Sequence, residues 1–417
     1  MSHYKIEGGT PLYGSISVHG SKNAALPILV ATILNGGKSK IHNFPHLSDV
    51  ESILYILQLL GCRVVSDGSD VTIDSSGFSS KDIPLSYMQQ TRSSSLFAGA
   101  LLARTGRVFV AGSGGCSIGK RPIDLHLKAF KALGSDVSFQ PDGVLCKAKH
   151  IFPCKIHLDF PSVGATENIL LASSLSPTVT VITNGAKEPE IQNLADYLRS
   201  IGVSVKGDGT SEIQIQGTNH PKDGEVTIIP DRIVATTYAS AVSCAGGRVN
   251  VDGISPSLIS SVLAAYRKMG MNVVLRKNGF LIEKTNRCIN LPHISTGPYP
   301  EFPTDCQPLM VASMATSYGF GLVREKIFEN RLTHCERLMK MGANIEVSGR
   351  TAFVRGVMSL RGAFVDAPDL RSGAALTTAA LGAQGTTHLS NIHYIDRGYE
   401  NLCFDLKSLG AKIERID

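Results

Sequence analysis

The sequence predicts an α/β protein of two domains, each assembled from three copies of one β-α-β-α-β-β unit. Three observations carry that prediction. A helix ending in an apolar residue and glycine, followed by an alternating strand, recurs six times: Leu60-Gly61, Leu133-Gly134, Ile201-Gly202, Met269-Gly270, Met341-Gly342 and Leu409-Gly410. The spacings between successive glycines are 73, 68, 68, 72 and 68 residues, a regularity that marks an internal repeat. The sixth unit runs out at Ile413-Glu414-Arg415-Ile416 before its last strand, while an unclaimed strand lies at Tyr4-Lys5-Ile6.

Within a unit the first helix begins near Ser21, Arg92, Ala165, Asp231, Asp305 or Arg371 and runs into small apolar residues, as in Leu26-Pro27-Ile28-Leu29-Val30-Ala31. With so little polar face it should be buried nearly all round. The second helix carries spaced charges, as in Leu125-His126-Leu127-Lys128-Ala129-Phe130-Lys131, and should keep one wet face. It stops at the recurring glycine, which takes the left-handed cap that a Cβ would resist. A hairpin then follows, turning at Asp67-Gly68, Asp142-Gly143, Asp208-Gly209, Asn278-Gly279 and, more weakly, Ser348-Gly349.

Pairing the N-terminal strand with the truncated sixth unit brings both chain ends into one domain. Residues 22–229 then form the first three-unit domain, and residues 1–21 with 230–417 the second. Two crossings leave a hinged cleft between them as the expected active site. A solenoid of six units would leave the terminal strand unpaired.

Composition narrows the function. With 43% hydrophobic and 18% charged residues the chain reads as soluble and globular. The start, Met1-Ser2-His3-Tyr4-Lys5, has no signal-peptide character, and no run of about eighteen apolar residues offers a membrane span. Nine cysteines without C-x-x-C or His pairing read as reduced thiols in a cytoplasmic protein, with no metal site. The net charge of +6 does not come from basic blocks with interleaved aromatics, so nucleic acid is not an expected partner.

The placement of the basic residues says more. Lys22, Arg92, Arg232 and Arg371 stand where inner helices begin, and Arg121, Arg331 and Arg397 where outer helices are expected to open. A cation there is disfavoured by roughly 0.3–1 kcal/mol, so its repetition calls for a compensating anion, held by guanidinium forks and free backbone N–H groups. Pairing with surface carboxylates is the alternative for any single one. Asp49, Asp124, Asp231, Asp305, Glu329 and Asp369 mark similar places, several of them as caps or arginine partners. Asp305 occupies a position that is basic in three other units, which makes it a candidate general base. Between strand and outer helix of the second unit lies Gly112-Ser113-Gly114-Gly115-Cys116-Ser117-Ile118-Gly119-Lys120-Arg121. Its glycines suit a lid, and the neighbouring cations should lower the Cys116 thiol pKa and make it reactive; the other eight cysteines read as structural.

At this point a resemblance becomes specific. Gly20-Ser21-Lys22-Asn23-Ala24-Ala25-Leu26-Pro27, Gly115-Cys116-Ser117-Ile118-Gly119, Arg121-Pro122-Ile123-Asp124-Leu125-His126 and Pro161-Ser162-Val163-Gly164-Ala165-Thr166-Glu167-Asn168 resemble the UDP-N-acetylglucosamine enolpyruvyl transferases of bacterial peptidoglycan synthesis. So do Phe302-Pro303-Thr304-Asp305, Phe328-Glu329-Asn330-Arg331, Asp369-Leu370-Arg371 and Ile395-Asp396-Arg397-Gly398-Tyr399-Glu400. The resemblance spans the chain and implies the two-domain inverted α/β barrel of enolpyruvyl transferases. It also implies transfer of the enolpyruvyl group from phosphoenolpyruvate to the 3-hydroxyl of UDP-N-acetylglucosamine, with no cofactor and no metal.

By that resemblance Lys22, Arg121 and Arg397 hold the phosphate, Arg331 and Arg371 the carboxylate, and Arg92 completes the cationic ring. Asp305 is base or orienter at the sugar hydroxyl. Cys116 protonates C3, forms a covalent adduct, and is the family's target for the epoxide fosfomycin. The nucleotide sugar falls to Asn23, Arg92, Arg121, Pro122, Ile123, Asp124, Leu125, Ser162, Val163, Gly164, Asp305, Ile327 and Phe328. The chain departs from some relatives at Phe160, where they carry a basic residue near the uridine. A shikimate 3-phosphate transferase of the same fold and a non-catalytic paralogue are the competing readings. Cys116 with Arg121-Pro122-Ile123-Asp124-Leu125 weighs against the first, and the joint presence of Lys22, Cys116, Asp305 and Arg397 against the second.

Overall fold

The computed structural model describes residues 2–79, 83–84, 87, 93–111 and 123–416. The unit is clearest in the third repeat. Strand Cys154–His157 leads through the inner helix Val163–Ser173 to strand Val179–Thr183, which lies parallel to the first with Ile182 opposite Ile156. The outer helix Pro189–Ser200 then feeds the antiparallel hairpin Ser204–Lys206 and Glu212–Gln216, whose second strand returns between the outer strands. A β-α-β crossover followed by a hairpin is the expected connection pattern of parallel and antiparallel neighbours. Six such sheets occur among the described residues, five of four strands and one of three.

The six predicted helix-ending glycines all adopt positive φ, from 90° at Gly61 and Gly342 to 98° at Gly202, so each repeat stops its outer helix by the same backbone device. The N-terminal strand His3–Glu7 fills the vacancy in the sixth sheet. It lies between Thr386–Ser390 and Lys412–Ile416, with Tyr4 opposite Leu389 on one side and Arg415 on the other.

Residues up to His19 together with Pro230–Asp417 make one compact unit, and most of the chain from Gly20 to Ile229 makes the other. At both passages a strand is separated from the helix that follows it. Strand Leu12–Ser17 precedes helix Lys22–Ala31 but pairs in parallel with Gly247–Asp252; strand Gly224–Thr227 precedes helix Arg232–Ala245 but pairs with Lys38–His42. Each unit thereby completes a sheet with a strand from the opposite end of a segment.

Each unit has its own apolar core. In the unit containing residues 230–416 the inner helices Arg232–Ala245, Gln307–Ala315 and Leu370–Leu381 pack on one another, and the latter two are buried along their whole length. Burying an aliphatic side chain fully contributes about 1.5–3 kcal/mol, so these helices rest on packing rather than on an amphipathic stripe. A hydroxyl node stitches them: Ser240 Oγ donates to the Leu309 carbonyl at 3.0 Å and lies 3.2 and 3.1 Å from the Ser313 and Thr378 hydroxyls. In the other unit, helices Ser93–Thr105 and Val163–Ser173 approach so closely that a Cβ on Gly99 would clash with the Asn168 carbonyl oxygen. The outer helix Asp124–Ala132 buries Leu127, Ala129 and Phe130 and exposes Lys128, the single wet face its sequence implies.

Two helix starts differ from expectation. Arg331 stands three residues before its outer helix, His334–Lys340, and Arg397 ends the 3-10 turn Ile392–Arg397, with the helix beginning only at Leu402. In both repeats the residues ahead of the outer helix are spent on turn. Dipole repulsion at a helix start therefore does not explain these two arginines, whereas Lys22 and Arg232 do occupy first helical positions and Arg371 the second. Among the described residues no helix is long and apolar enough to cross a membrane.

Candidate active site

Within the unit containing residues 230–416, the inner-helix starts carry the charge. Asp231 caps one helix, its Oδ1 accepting from the N–H groups of Ile233 and Val234 at 2.8 and 3.2 Å. Asp369 caps another, its Oδ1 accepting from Arg371 and Ser372 at 2.9 and 3.1 Å. The third is preceded by the 3-10 turn Thr304–Cys306, which presents Asp305. Arg331 then donates through Nη2 to Asp305 Oδ1 at 2.7 Å, with Nη1 3.8 Å from Asp369. Arg371 Nε lies 3.4 Å from the other Asp305 oxygen.

Both guanidinium groups are nearly dry, Arg331 at 2% and Arg371 at 3% exposure. Burial alone would lower the Arg371 pKa, but Asp305, Tyr399 and Asp231 outweigh it and the pKa rises, so the charge persists. Arg331 Nε and Arg371 Nη1 are buried with no hydrogen-bond partner among the described residues. An unmet buried donor costs about 1–3 kcal/mol, which an incoming anion would recover.

Arg397 belongs to the same unit. Its 3-10 turn packs on helix Leu370–Leu381, and the next residue, Gly398, abuts Leu370 so closely that a Cβ would meet Leu370 Cδ2 at 2.8 Å. That places Arg397 one residue from a contact with the start of the helix bearing Arg371. Ile327 and Phe328 follow strand Phe320–Arg324, and their N–H groups are both taken by Glu325 Oε1, at 2.7 and 3.2 Å. The Arg331 guanidinium lies 5.8 Å from the Phe328 ring centroid, within cation–π reach.

The chain from Gly20 to Ile229 supplies a second group. Lys22 opens helix Lys22–Ala31 behind the cap Ser21, and its Nζ reaches Asp49 Oδ2 at 3.1 Å; Asn23 follows, half-buried. Ser162 caps helix Val163–Ser173 by accepting from the Ala165 N–H at 3.3 Å. His126 packs on Gly164, where a Cβ would stand 3.3 Å from its ring, so Ile123, Asp124 and Leu125 are drawn beside Ser162, Val163 and Gly164. Burial holds the His126 pKa down at about 4 against a small opposing effect of Asp124, leaving a neutral ring beneath this surface. Phe160 is 43% exposed at its edge.

Arg92, Cys116, Arg121 and Pro122 lie outside the described residues. The other eight cysteines are free and buried or half-buried. Burial raises their thiol pKa values, to about 11 at Cys62 and about 12 at Cys306 and Cys335, which makes them unreactive at neutral pH.

Of the marked carboxylates, Asp49 pairs with Lys22, Asp369 combines cap and arginine partner, and Glu329 faces Arg350 at 3.3 Å on the surface. The sequence reading did not single out Glu325, which is only 1% exposed. Its signal was available: residues 321, 323 and 325 share the inward phase of the strand, and a carboxylate in that phase needs donors.

The family described as EPSP synthase (3-phosphoshikimate 1-carboxyvinyltransferase) matches residues 6–406. A protein of Caldanaerobacter subterraneus named UDP-N-acetylglucosamine 1-carboxyvinyltransferase 2 is 45% identical over 416 residues, covering 100% of both chains. A UDP-N-acetylglucosamine 1-carboxyvinyltransferase of Solidesulfovibrio magneticus is 39% identical over 416 residues, again with 100% of each covered. Among solved structures, the enolpyruvyl transferase NikO from Streptomyces tendae superimposes with a TM-score of 0.90 at 24% identity, over 100% of this chain and 99% of that one. EPSP synthase from Acinetobacter baumannii gives 0.76 at 16% identity, over 100% of both. The fold is therefore the two-domain inverted α/β barrel of enolpyruvyl transferases.

Proposed function

We propose roles for these residues from one premise: the chain belongs to the 1-carboxyvinyltransferase family, and within it to the UDP-N-acetylglucosamine 1-carboxyvinyltransferases. It transfers the enolpyruvyl group of phosphoenolpyruvate to the 3-hydroxyl of UDP-N-acetylglucosamine and releases phosphate, a step of bacterial peptidoglycan synthesis. In this reading Arg331 and Arg371 grip the phosphoenolpyruvate carboxylate, while Lys22, Arg121 and Arg397 hold its phosphate with Arg92 beside them. Asn23, Arg121 to Leu125, Ser162 to Gly164, Asp305, Ile327 and Phe328 take the nucleotide sugar. In this reading both domains, residues 22–229 and residues 1–21 with 230–417, supply substrate contacts.

The chemistry is addition followed by elimination. The sugar 3-oxygen bonds to C2 of the enol as C3 takes a proton from Cys116, and Asp305 accepts the hydroxyl proton. Loss of phosphate from C2 and of a proton from C3 then restores the double bond. Before substrate arrives Asp305 is engaged by both arginines. A substrate carboxylate that takes over those forks frees Asp305 to act on the acceptor, which couples binding of one substrate to activation of the other. We place the reaction in the cytoplasm, where reduced thiols persist.

The observation that carries the reading is the pair of buried, charged guanidinium groups whose Nε and Nη1 donors have no partner among the described residues. They are arranged for a small anion. The test is phosphate release from phosphoenolpyruvate with either acceptor. Release with UDP-N-acetylglucosamine is expected; release with shikimate 3-phosphate alone overturns the assignment. The Cys116→Ser variant should lose alkylation by fosfomycin, read by mass spectrometry, since burial raises the pKa of each of the eight described thiols and leaves them poor nucleophiles. A label on any of them would overturn the choice of Cys116.

A further inference from the structure

The carboxylate of Glu325 is buried, and no cation lies within ion-pair distance of it among the described residues. Its charge is met by hydrogen-bond donors alone. Oε1 accepts from the Thr296 hydroxyl at 2.9 Å and from the Ile327 and Phe328 N–H groups at 2.7 and 3.2 Å; Oε2 accepts from the Thr304 hydroxyl at 2.9 Å. Thr296 Oγ1 in turn accepts from the Lys326 N–H at 2.8 Å. One side chain therefore ties together three stretches: that at Thr296, the turn that carries Asp305, and the main chain just after Glu325 from Lys326 to Phe328.

A carboxylate is costly to bury, and stability alone does not call for one here. An apolar residue in this inward phase would continue the pattern of Val323, and replacing buried charges by apolar groups is often neutral or stabilising. What the carboxylate supplies is geometry. It needs about four donors to be satisfied, and only one relative placement of the three segments delivers them. Because it occupies the N–H groups of Ile327 and Phe328, the main-chain groups of that stretch left to meet a ligand are chiefly its carbonyls.

We propose that Glu325 is a positioning residue for both halves of acceptor recognition: through Thr304 it sets the turn bearing Asp305, and through Oε1 it aims the Ile327–Phe328 main chain at the nucleotide sugar. This rests on the reading of Asp305, Ile327 and Phe328 as acceptor contacts. The two arms separate by substrate. Cutting the Thr304 tie misplaces Asp305 and acts chiefly on turnover, because Asp305 is the proton acceptor as well as a sugar contact, whereas releasing the main chain acts chiefly on nucleotide-sugar affinity. A displacement near 1 Å at such a site costs up to about 100-fold.

The test uses the full chain, with phosphate release followed while each substrate is varied separately. Thr304→Val should lower kcat at least about tenfold with the KM for UDP-N-acetylglucosamine changed less than about threefold. Glu325→Ala should lower kcat similarly and also raise that KM about tenfold or more. Glu325→Gln should recover most of both, because its oxygen still accepts from the two N–H groups while its amide donates to the Thr304 oxygen. Assays run well below each variant's melting temperature separate positioning from folding: unchanged kcat and KM in Thr304→Val and Glu325→Ala would overturn the inference. If Glu325→Ala does not fold, Thr304→Val and Glu325→Gln decide, and a kcat unchanged in the first overturns it. A wild-type enzyme that releases no phosphate with UDP-N-acetylglucosamine sinks the functional reading itself, whereas active wild type with a flat variant series sinks only the role of Glu325.

Discussion

The two halves of the chain repeat the same unit, yet they begin their inner helices differently. Among the described residues, the inner-helix caps that hydrogen-bond to their helices from Gly20 to Ile229 are the neutral Ser21 and Ser162; from Pro230 onward they are the anionic Asp231 and Asp369. The difference follows the cations. Arg371 and Arg331 are both nearly fully buried, and carboxylates at the helix starts lie beside them: against the effect of burial, Asp305 and Asp231 raise the Arg371 pKa, and Asp305 and Asp369 pair with Arg331. Lys22 keeps 11% of its side chain exposed, and Asp49 meets it from the second helix of its own repeat. The drier grip thus takes counter-charges from the inner-helix starts themselves, and the wetter one takes its counter-charge from a neighbouring helix.

The largest expected effect tests whether the arginine network is catalytic machinery. Asp305→Asn keeps the shape and one acceptor but removes the charge shared by Arg331 and Arg371. Turnover should fall by on the order of 10²–10³, in the range seen for single electrostatic contacts at reacting centres. A loss below tenfold in phosphate release would show that the charged half tunes stability rather than reaction.

Exchanging caps sharpens the contrast. Asp369→Ala removes two backbone hydrogen bonds and a carboxylate beside buried Arg331, and should cost about 3 kcal/mol. Ser162→Ala removes one neutral cap and should cost about 1 kcal/mol. Equal costs in urea unfolding would mean that the anionic caps are ordinary caps.

In acid the two halves should instead agree. His126 in one and His334 in the other are both held neutral mainly by burial, each with a pKa of about 4 against 6.5 unfolded. Beside His334, Asp369 raises and Arg331 lowers it, so burial decides there too. Because the folded pKa is depressed, the unfolded chain takes up the proton first. Stability should fall as pH drops through 6.5 and level off below about 4. His126→Gln and His334→Gln should each flatten that slope by about one proton; a slope unchanged in both assigns the acid lability to carboxylates.

How much of this was legible in the sequence depends on whether the signal was local. The repeat, the glycine caps and the stray N-terminal strand were readable because backbone stereochemistry and an unpaired strand are properties of short segments. Arg331 and Arg371 were marked by their recurrence at equivalent places. Arg331 and Arg397 were expected to open outer helices on the premise that the repeats are alike, whereas the fifth and sixth repeats spend those residues on turn. Glu325 was hidden because Arg324-Glu325-Lys326 looks like a solvated charge run, and only its strand phase and its side-chain partners 29 and 21 residues away reveal it as interior.

The smallest effect is expected at the Lys22–Asp49 pair, and its sign is the informative part. Asp49→Asn still offers Lys22 an acceptor at the same place, so the ammonium stays oriented, but a negative charge near the proposed phosphate site is gone. The KM for phosphoenolpyruvate should fall, by about threefold, the size of a partly exposed ion pair, with kcat little changed. The same Asp-to-Asn change at Asp305 cripples turnover, because there the carboxylate is itself a reacting group, whereas Asp49 only holds a cation in wait. A tenfold rise in that KM after Asp49→Asn would mean that Lys22 depends on its partner as strictly as Arg331 does, and the contrast between the two halves would be one of burial alone.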